Sequence, residues 1–204
     1  MAFPDFYALA PHILMRDPLA EFLGAASDGL IEYGYADVVR LAGHSCPTVA
    51  GAYLMARAAL RALYPDAPAE RGGVTVTMSA PESEGTTGVV AQVFTLITGA
   101  AAANGFHGIG GRFARDSLLD YAGGDTHVVA RLRRRDTGAE VGVALDASRV
   151  APAPDLRERM GRALAGDATA PERETFAEAW QDRVRRLLLE HADDTRVIRV
   201  ERYA

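Results

Sequence analysis

The chain has 204 residues, 49% of them apolar, a formal net charge of −5 and a single cysteine. That length suits one domain with a sizeable core. The acidic balance lacks the basic footprint of nucleic-acid binding, and one cysteine excludes an intrachain disulfide framework.

The opening Met1-Ala2-Phe3-Pro4-Asp5-Phe6 has no basic segment followed by an apolar core. No apolar run approaches the roughly 20 residues of a membrane span. The expectation is a soluble, cytoplasmic protein that binds neither nucleic acid nor membrane.

Pro18 and Glu21 suit a first helical turn, and Leu19, Phe22, Leu23 and Ala26 recur at helical spacing. Together they predict a helix over 19–30. Residues 33–41 are short and mixed, and fit a strand or a short helix. Cys46 or Pro47 opens the longest early helix, with Val49, Tyr53, Ala56, Leu60 and Leu63 as its apolar stripe and Tyr64-Pro65-Asp66 as its end. Gly51, Ala52, Ala58 and Ala59 leave room for another element to pack closely.

Val74-Thr75-Val76-Thr77-Met78 alternates with period two and predicts a strand within 73–80. After the 81–85 loop, Thr86 or Thr87 can cap a helix over 88–103. Its residues are apolar nearly all round, which predicts burial, and Asn104-Gly105 suits its C-terminal cap. Gly105, Gly108, Gly110 and Gly111 then cluster around His107. They follow a helix rather than a strand, so they are not a dinucleotide fingerprint. Their spacing implies a close backbone approach.

Strands are predicted over 127–133 and 141–145, joined by a turn at 135–139 that carries Asp136 and Gly138. The basic run from Arg131 to Arg135 reads as the polar face and exit of the first of these. Connectors at 151–154 and 166–171 flank a short helix over 155–164. An amphipathic helix over 172–191 presents Phe176, Trp180, Val184, Leu187 and Leu188, and a strand over 197–203 ends the chain. The whole predicts one α+β domain over 1–204. A helix-strand-helix-three-strand core spans about 40–150, with a mixed or antiparallel sheet. An N-terminal helix precedes it, and a helix-strand extension over 151–204 follows.

The chemistry concentrates at Gly43-His44-Ser45-Cys46-Pro47. Free amides at a helix mouth favour a thiolate, which is both a nucleophile and a soft metal ligand. Pro47 biases Cys46 toward extended backbone, where an i, i+2 pair can chelate one ion. Alternatively, Cys46 is a small buried hydrophobe and His44 a surface group. Zinc is the expected ion, and it requires further ligands. His107 and His12 are the first candidates, with Glu82 and Glu84 behind them. Cys46 and His44 are also the candidate catalytic pair. Haem or a similar cofactor on the same residues is the alternative. Tyr53 and His127 read as structural, His191 suits the last turn of its helix, and Ser45 lacks a G-x-S-x-G elbow.

Gly43-His44-Ser45-Cys46-Pro47, with Gly51 and Tyr53 on an Ala-rich helix, resembles the family of the formylmethanofuran dehydrogenase E-subunit. That family's motif runs roughly Gly-His-x-Cys-Pro-Gly-x-x-x-Gly-Tyr. The apolar segment closing on Leu96-Ile97-Thr98-Gly99 is similar to the family's second block, and the resemblance covers about 40–146. It implies an α+β core, a metal-associated site at His44 and Cys46, and a homodimer with a small-molecule ligand or substrate. The chain departs from the pattern at Thr48, where the family has glycine. The family's second block usually carries a cysteine before an Asp-Ala segment and another after Thr-Gly; the corresponding places here hold Val89, Gln92 and Ala100, and Asn104 stands in that of a lysine. The C-terminal Cys-rich ribbon of many members has no counterpart.

Overall fold

The computed structural model describes residues 3–121 and 124–203. A single turn, α1 (Phe6–Leu9), leads into β1 (Ile13–Arg16), α2 (Pro18–Phe22), β2 (Leu30–Tyr33) and α3 (Tyr35–Ala42). Then come α4 (Pro47–Leu63), β3 (Ala69–Glu70), β4 (Val74–Met78), α5 (Thr87–Thr98) and β5 (Leu119–Asp120). The chain closes with β6 (Ala130–Arg134), β7 (Glu140–Leu145), α6 (Leu156–Ala165), α7 (Ala170–Glu190) and β8 (Ile198–Tyr203). In the smaller sheet β1 lies between antiparallel β2 and parallel β3. The larger runs β5-β4-β6-β7-β8, parallel at β4–β5 and antiparallel elsewhere. The fold is α+β, as the alternating patterns predicted.

Helix α4 is the axis of the core. Every residue from Val49 to Ala56 is buried, so the helix is enclosed on all sides. It packs on α5, α7, β7 and β8. Its small residues make this approach possible. A Cβ built on Gly51 would come 2.3 Å from Leu145 Cδ2 of β7. Tyr53 is fully buried in the core, with its hydroxyl reaching Pro11 O at 2.5 Å and Tyr33 O at 3.0 Å. Burial pushes the Tyr53 phenol up, so it stays a neutral donor.

The helix predicted over 19–30 is cut to Pro18–Phe22. The amides of Ala25 and Ala26 both turn back to Ala20 O, at 2.8 and 3.3 Å. Gly24 and Gly29 then adopt φ of +72° and +69°, and residues from Leu30 onward pair with β1 instead. Phe22 and Leu23, expected on a core face, are 59% and 60% exposed. The mixed 33–41 segment ends β2 at Tyr33 and is helical from Tyr35, and the Gly34 amide donates to Asp37 Oδ2 at 2.9 Å to cap the helix.

The helix predicted over 88–103 ends at Thr98. Thr98 Oγ1 donates back to Phe94 O at 2.7 Å and accepts from the Ala100 amide at 3.1 Å. Gly99 turns left-handed at φ +74°. The Gly99 amide closes on Thr95 O at 2.9 Å, so the helix turns off here, ahead of Asn104-Gly105. The short strand β5 carries no sequence signal. It is two residues held by β4. Strand β8 pairs along β7 from Ile198 to Tyr203, and α7 packs on α1 and α4, so the C-terminal segment is built into the sheet and the core.

Candidate functional site

The Gly43–Pro47 segment is the connector between α3 and α4. Gly43, at φ +73°, ends α3 in the left-handed conformation that glycine adopts without cost. Cys46 caps α4 with φ −151° and ψ 168°, the extended backbone that a following proline imposes. Its Sγ accepts from the Val49 amide at 3.4 Å, and the thiol is free and half-buried.

Ser45, between the two candidate ligands, anchors the loop. Its hydroxyl pairs with the buried Tyr35 hydroxyl at 2.9 Å, and its carbonyl accepts from Trp180 Nε1 at 3.0 Å and Gln181 Nε2 at 3.3 Å. Gln181 in turn accepts from the Tyr7 hydroxyl at 3.2 Å. Burial pushes the Tyr35 phenol up, so the Ser45 contact is between neutral groups. The apolar stripe of α7 makes Trp180 a packing residue by spacing. Its indole N–H in addition clamps the loop from α7.

His44 is exposed, and its Nδ1 lies 3.0 Å from Ala42 O. A carbonyl can only accept, so Nδ1 is the donor, and the tautomer that this contact favours has its lone pair at Nε2. Metal-bound imidazoles are commonly oriented in this way, by a hydrogen bond from the other ring nitrogen.

The other predicted ligands lie apart from this pair. His12 enters β1 and pairs with Glu32 at 2.9 Å. His107 has a side chain 80% exposed and pairs with Asp116 at 3.1 Å. Glu82 and Glu84 sit in the exposed loop before α5. Among the described residues, no three His, Cys, Asp or Glu side chains are placed to hold one ion. Cys46 and His44 stand two residues apart on this connector, with no third candidate ligand grouped with them among the described residues. The rest of a coordination sphere would come from water, a ligand or another chain.

The glycine cluster does bring backbones together, but within this chain. A Cβ on Gly105 would meet the Asp116 amide at 2.5 Å, and one on Gly108 would meet Arg112 O at 2.2 Å. Ile109 and Arg112 exchange backbone hydrogen bonds at 2.9 and 3.0 Å around Gly110 and Gly111, with φ of +56° and +75°. Two positive φ values in a two-residue turn follow the I′ pattern. The hairpin leads into Arg112, which is exposed, Phe113, which is half-buried, and Arg115, which turns inward and is buried, while His107 stays in solvent.

Sequence reasoning missed the buried charge cluster that these arginines join. Asp17, with a side chain only 4% exposed, caps α2 by accepting from the Leu19 and Ala20 amides at 2.9 and 3.2 Å. It also takes Arg115 Nη2 at 2.8 Å and Arg71 Nη1 at 3.0 Å. Arg115 further donates to Arg71 O, and Arg71 to Leu96 O at 3.0 Å. Burial acts to raise the Asp17 carboxyl, but the Arg71 hydrogen bond and the Arg115 charge outweigh it and hold the group below the usual carboxylate range. The visible signal is Asp17 before Pro18, an N-cap pattern. Nothing local ties it to positions 71 and 115. No protein-family model matches the chain, and no curated protein sequence matches it. Among the described residues, no helix is long and apolar enough to cross a membrane.

Proposed function

We propose that the chain is a metal-binding protein of the formylmethanofuran dehydrogenase E-subunit-like type, with zinc held by Cys46 Sγ and His44 Nε2. One observation supports this above the rest. The His44 ring is fixed through Nδ1 on Ala42 O, which leaves Nε2 free two residues from an unpaired, half-buried thiol. The Ser45 clamp by Tyr35, Trp180 and Gln181 holds the loop carrying both ligands. With two protein ligands, the sphere is completed by water, a small-molecule ligand or a second copy of the chain in a homodimer. A zinc ion with open positions would polarise a carbonyl or activate water, which makes small-molecule metalloenzyme chemistry the extension of the proposal.

The test is metal content of the purified chain after dialysis, for the wild type, Cys46→Ser and His44→Ala. Zinc in the wild type that is lost in both variants is the expected result. Equal metal content in all three refutes the reading. A coloured preparation with a Soret band that disappears in the same variants would assign the pair to haem instead.

A further inference from the structure

The Asp17 cluster forms the floor of a surface cleft of about 730 Å³, within the size range of small-ligand sites. Five arginines line it: Arg16, Arg71, Arg112, Arg115 and Arg135. Against them stand Glu21 and Glu70 on the walls and Asp17 behind Arg71 and Arg115. Five guanidiniums facing three carboxylates leave an excess of two positive charges, in a chain whose net charge is −5. A local field opposed to the overall charge concentrates anions at that place.

The arginines divide into two groups. Arg71 and Arg115 are committed to Asp17 and to backbone carbonyls, and Arg16 pairs with Glu21 at 3.0 Å. Arg112 and Arg135 are exposed and have no carboxylate partner among the described residues. Arg112 lies over the Phe113 ring at 4.7 Å, and Arg135 gives one hydrogen bond, to Gly72 O at 3.0 Å. The floor is also short of acceptors. Arg71 Nε and Arg115 Nε are buried without a partner among the described residues, on a side chain only 8% exposed in the case of Arg115. At the rim, Phe22 and Phe113 stack at 5.3 Å with 31° between the rings, and Phe22 keeps 59% of its surface in solvent.

We propose that this cleft binds a small phosphomonoester, with the phosphate between Arg112 and Arg135 and an attached flat ring against Phe22. Two features select this ligand over a carboxylate. A phosphomonoester carries nearly two negative charges at neutral pH, which matches the excess, and its oxygens accept from two guanidinium forks at once. The exposed Phe22, packed on the half-buried Phe113 in the lining of the same cleft, supplies an apolar surface for a ring. The site is independent of the metal reading, since none of its residues belongs to the His44–Cys46 connector.

Calorimetric titration of the intact chain with phenyl phosphate, benzoate and inorganic phosphate tests it, with metal chelated throughout. Phenyl phosphate is expected to bind saturably and more tightly than benzoate, and more weakly as salt rises. Arg112→Ala and Arg135→Ala each weaken it about tenfold, the loss of a charge-assisted hydrogen bond. Neither residue supports the core, so unchanged unfolding midpoints are expected for both. Phe22→Ala weakens phenyl phosphate while leaving inorganic phosphate unaffected. The proposal is overturned if phenyl phosphate gives no binding at millimolar concentration. It is equally overturned if benzoate binds as tightly, or if the Arg112→Ala/Arg135→Ala double variant binds phenyl phosphate as the wild type does. An unchanged phenyl phosphate affinity in Phe22→Ala overturns the ring's placement.

Discussion

Replacing Asp17 by alanine removes the carboxylate that holds the buried Arg115 and the half-buried Arg71. Four donors lose their acceptor at once: the Leu19 and Ala20 amides, Arg71 and Arg115. Arg71 keeps its bond to Leu96 O and Arg115 its bond to Arg71 O, but a side chain 8% exposed would carry its charge without a counter-ion. Breaking a buried pair from one side costs about 4 kcal/mol, of which the lost helix cap accounts for about 1. In a chain of this size that corresponds to a fall in the melting midpoint of roughly 8–16 °C. Chemical denaturation of Asp17→Ala, Arg115→Met and the double variant is the assay. Arg115→Met in the Asp17→Ala background removes the orphaned charge, so the double variant is expected to be more stable than Asp17→Ala alone. The pH dependence has a definite sign. The folded carboxyl lies below its unfolded value, so its stabilisation is complete above about pH 4. It fades as pH falls through the lower, folded value. The gap between wild type and Asp17→Ala is therefore constant near neutrality and narrows only in acid. A loss below about 1 kcal/mol, or fully additive single substitutions, would refute the reasoning.

Gly51→Ala should destabilise the fold by about 2 kcal/mol through overpacking against Leu145, with partial recovery in Gly51→Ala/Leu145→Ala, read from unfolding midpoints. Trp180→Phe keeps an aromatic ring, though a smaller one, loses the indole donor to Ser45 O, and should cost at least about 1 kcal/mol of stability. If the connector holds zinc, the same substitution should also weaken zinc retention in a chelator competition. Unchanged retention would separate the clamp from the metal site.

The elements that read clearly from the chain are those whose signal is local and repeated. Pro47 and the stripe from Val49 to Leu63 define α4 because a long helix repeats its pattern over several turns. The alternation in Val74–Met78 and the Asp136–Gly138 turn define strands in the same way. The 19–30 helix fails because Leu30–Tyr33 finds strand partners in β1, a gain invisible to helical spacing. The helix over 88–103 runs long because Thr98 closes its own turn through a hydroxyl, and apolar periodicity does not register that.

The candidate sites divide along the same line. A proline after Cys46 and a glycine before His44 determine from sequence alone that these two residues lie in a connector at a helix mouth. Only the tertiary structure decides that Ser45 is clamped from α7, and that His12 and His107 pair with Glu32 and Asp116 rather than join Cys46. The Asp17, Arg71 and Arg115 cluster belongs wholly to the fold. Its members lie in three separate segments, and burial of charge is driven by which partners meet, a property that no local pattern of residues encodes.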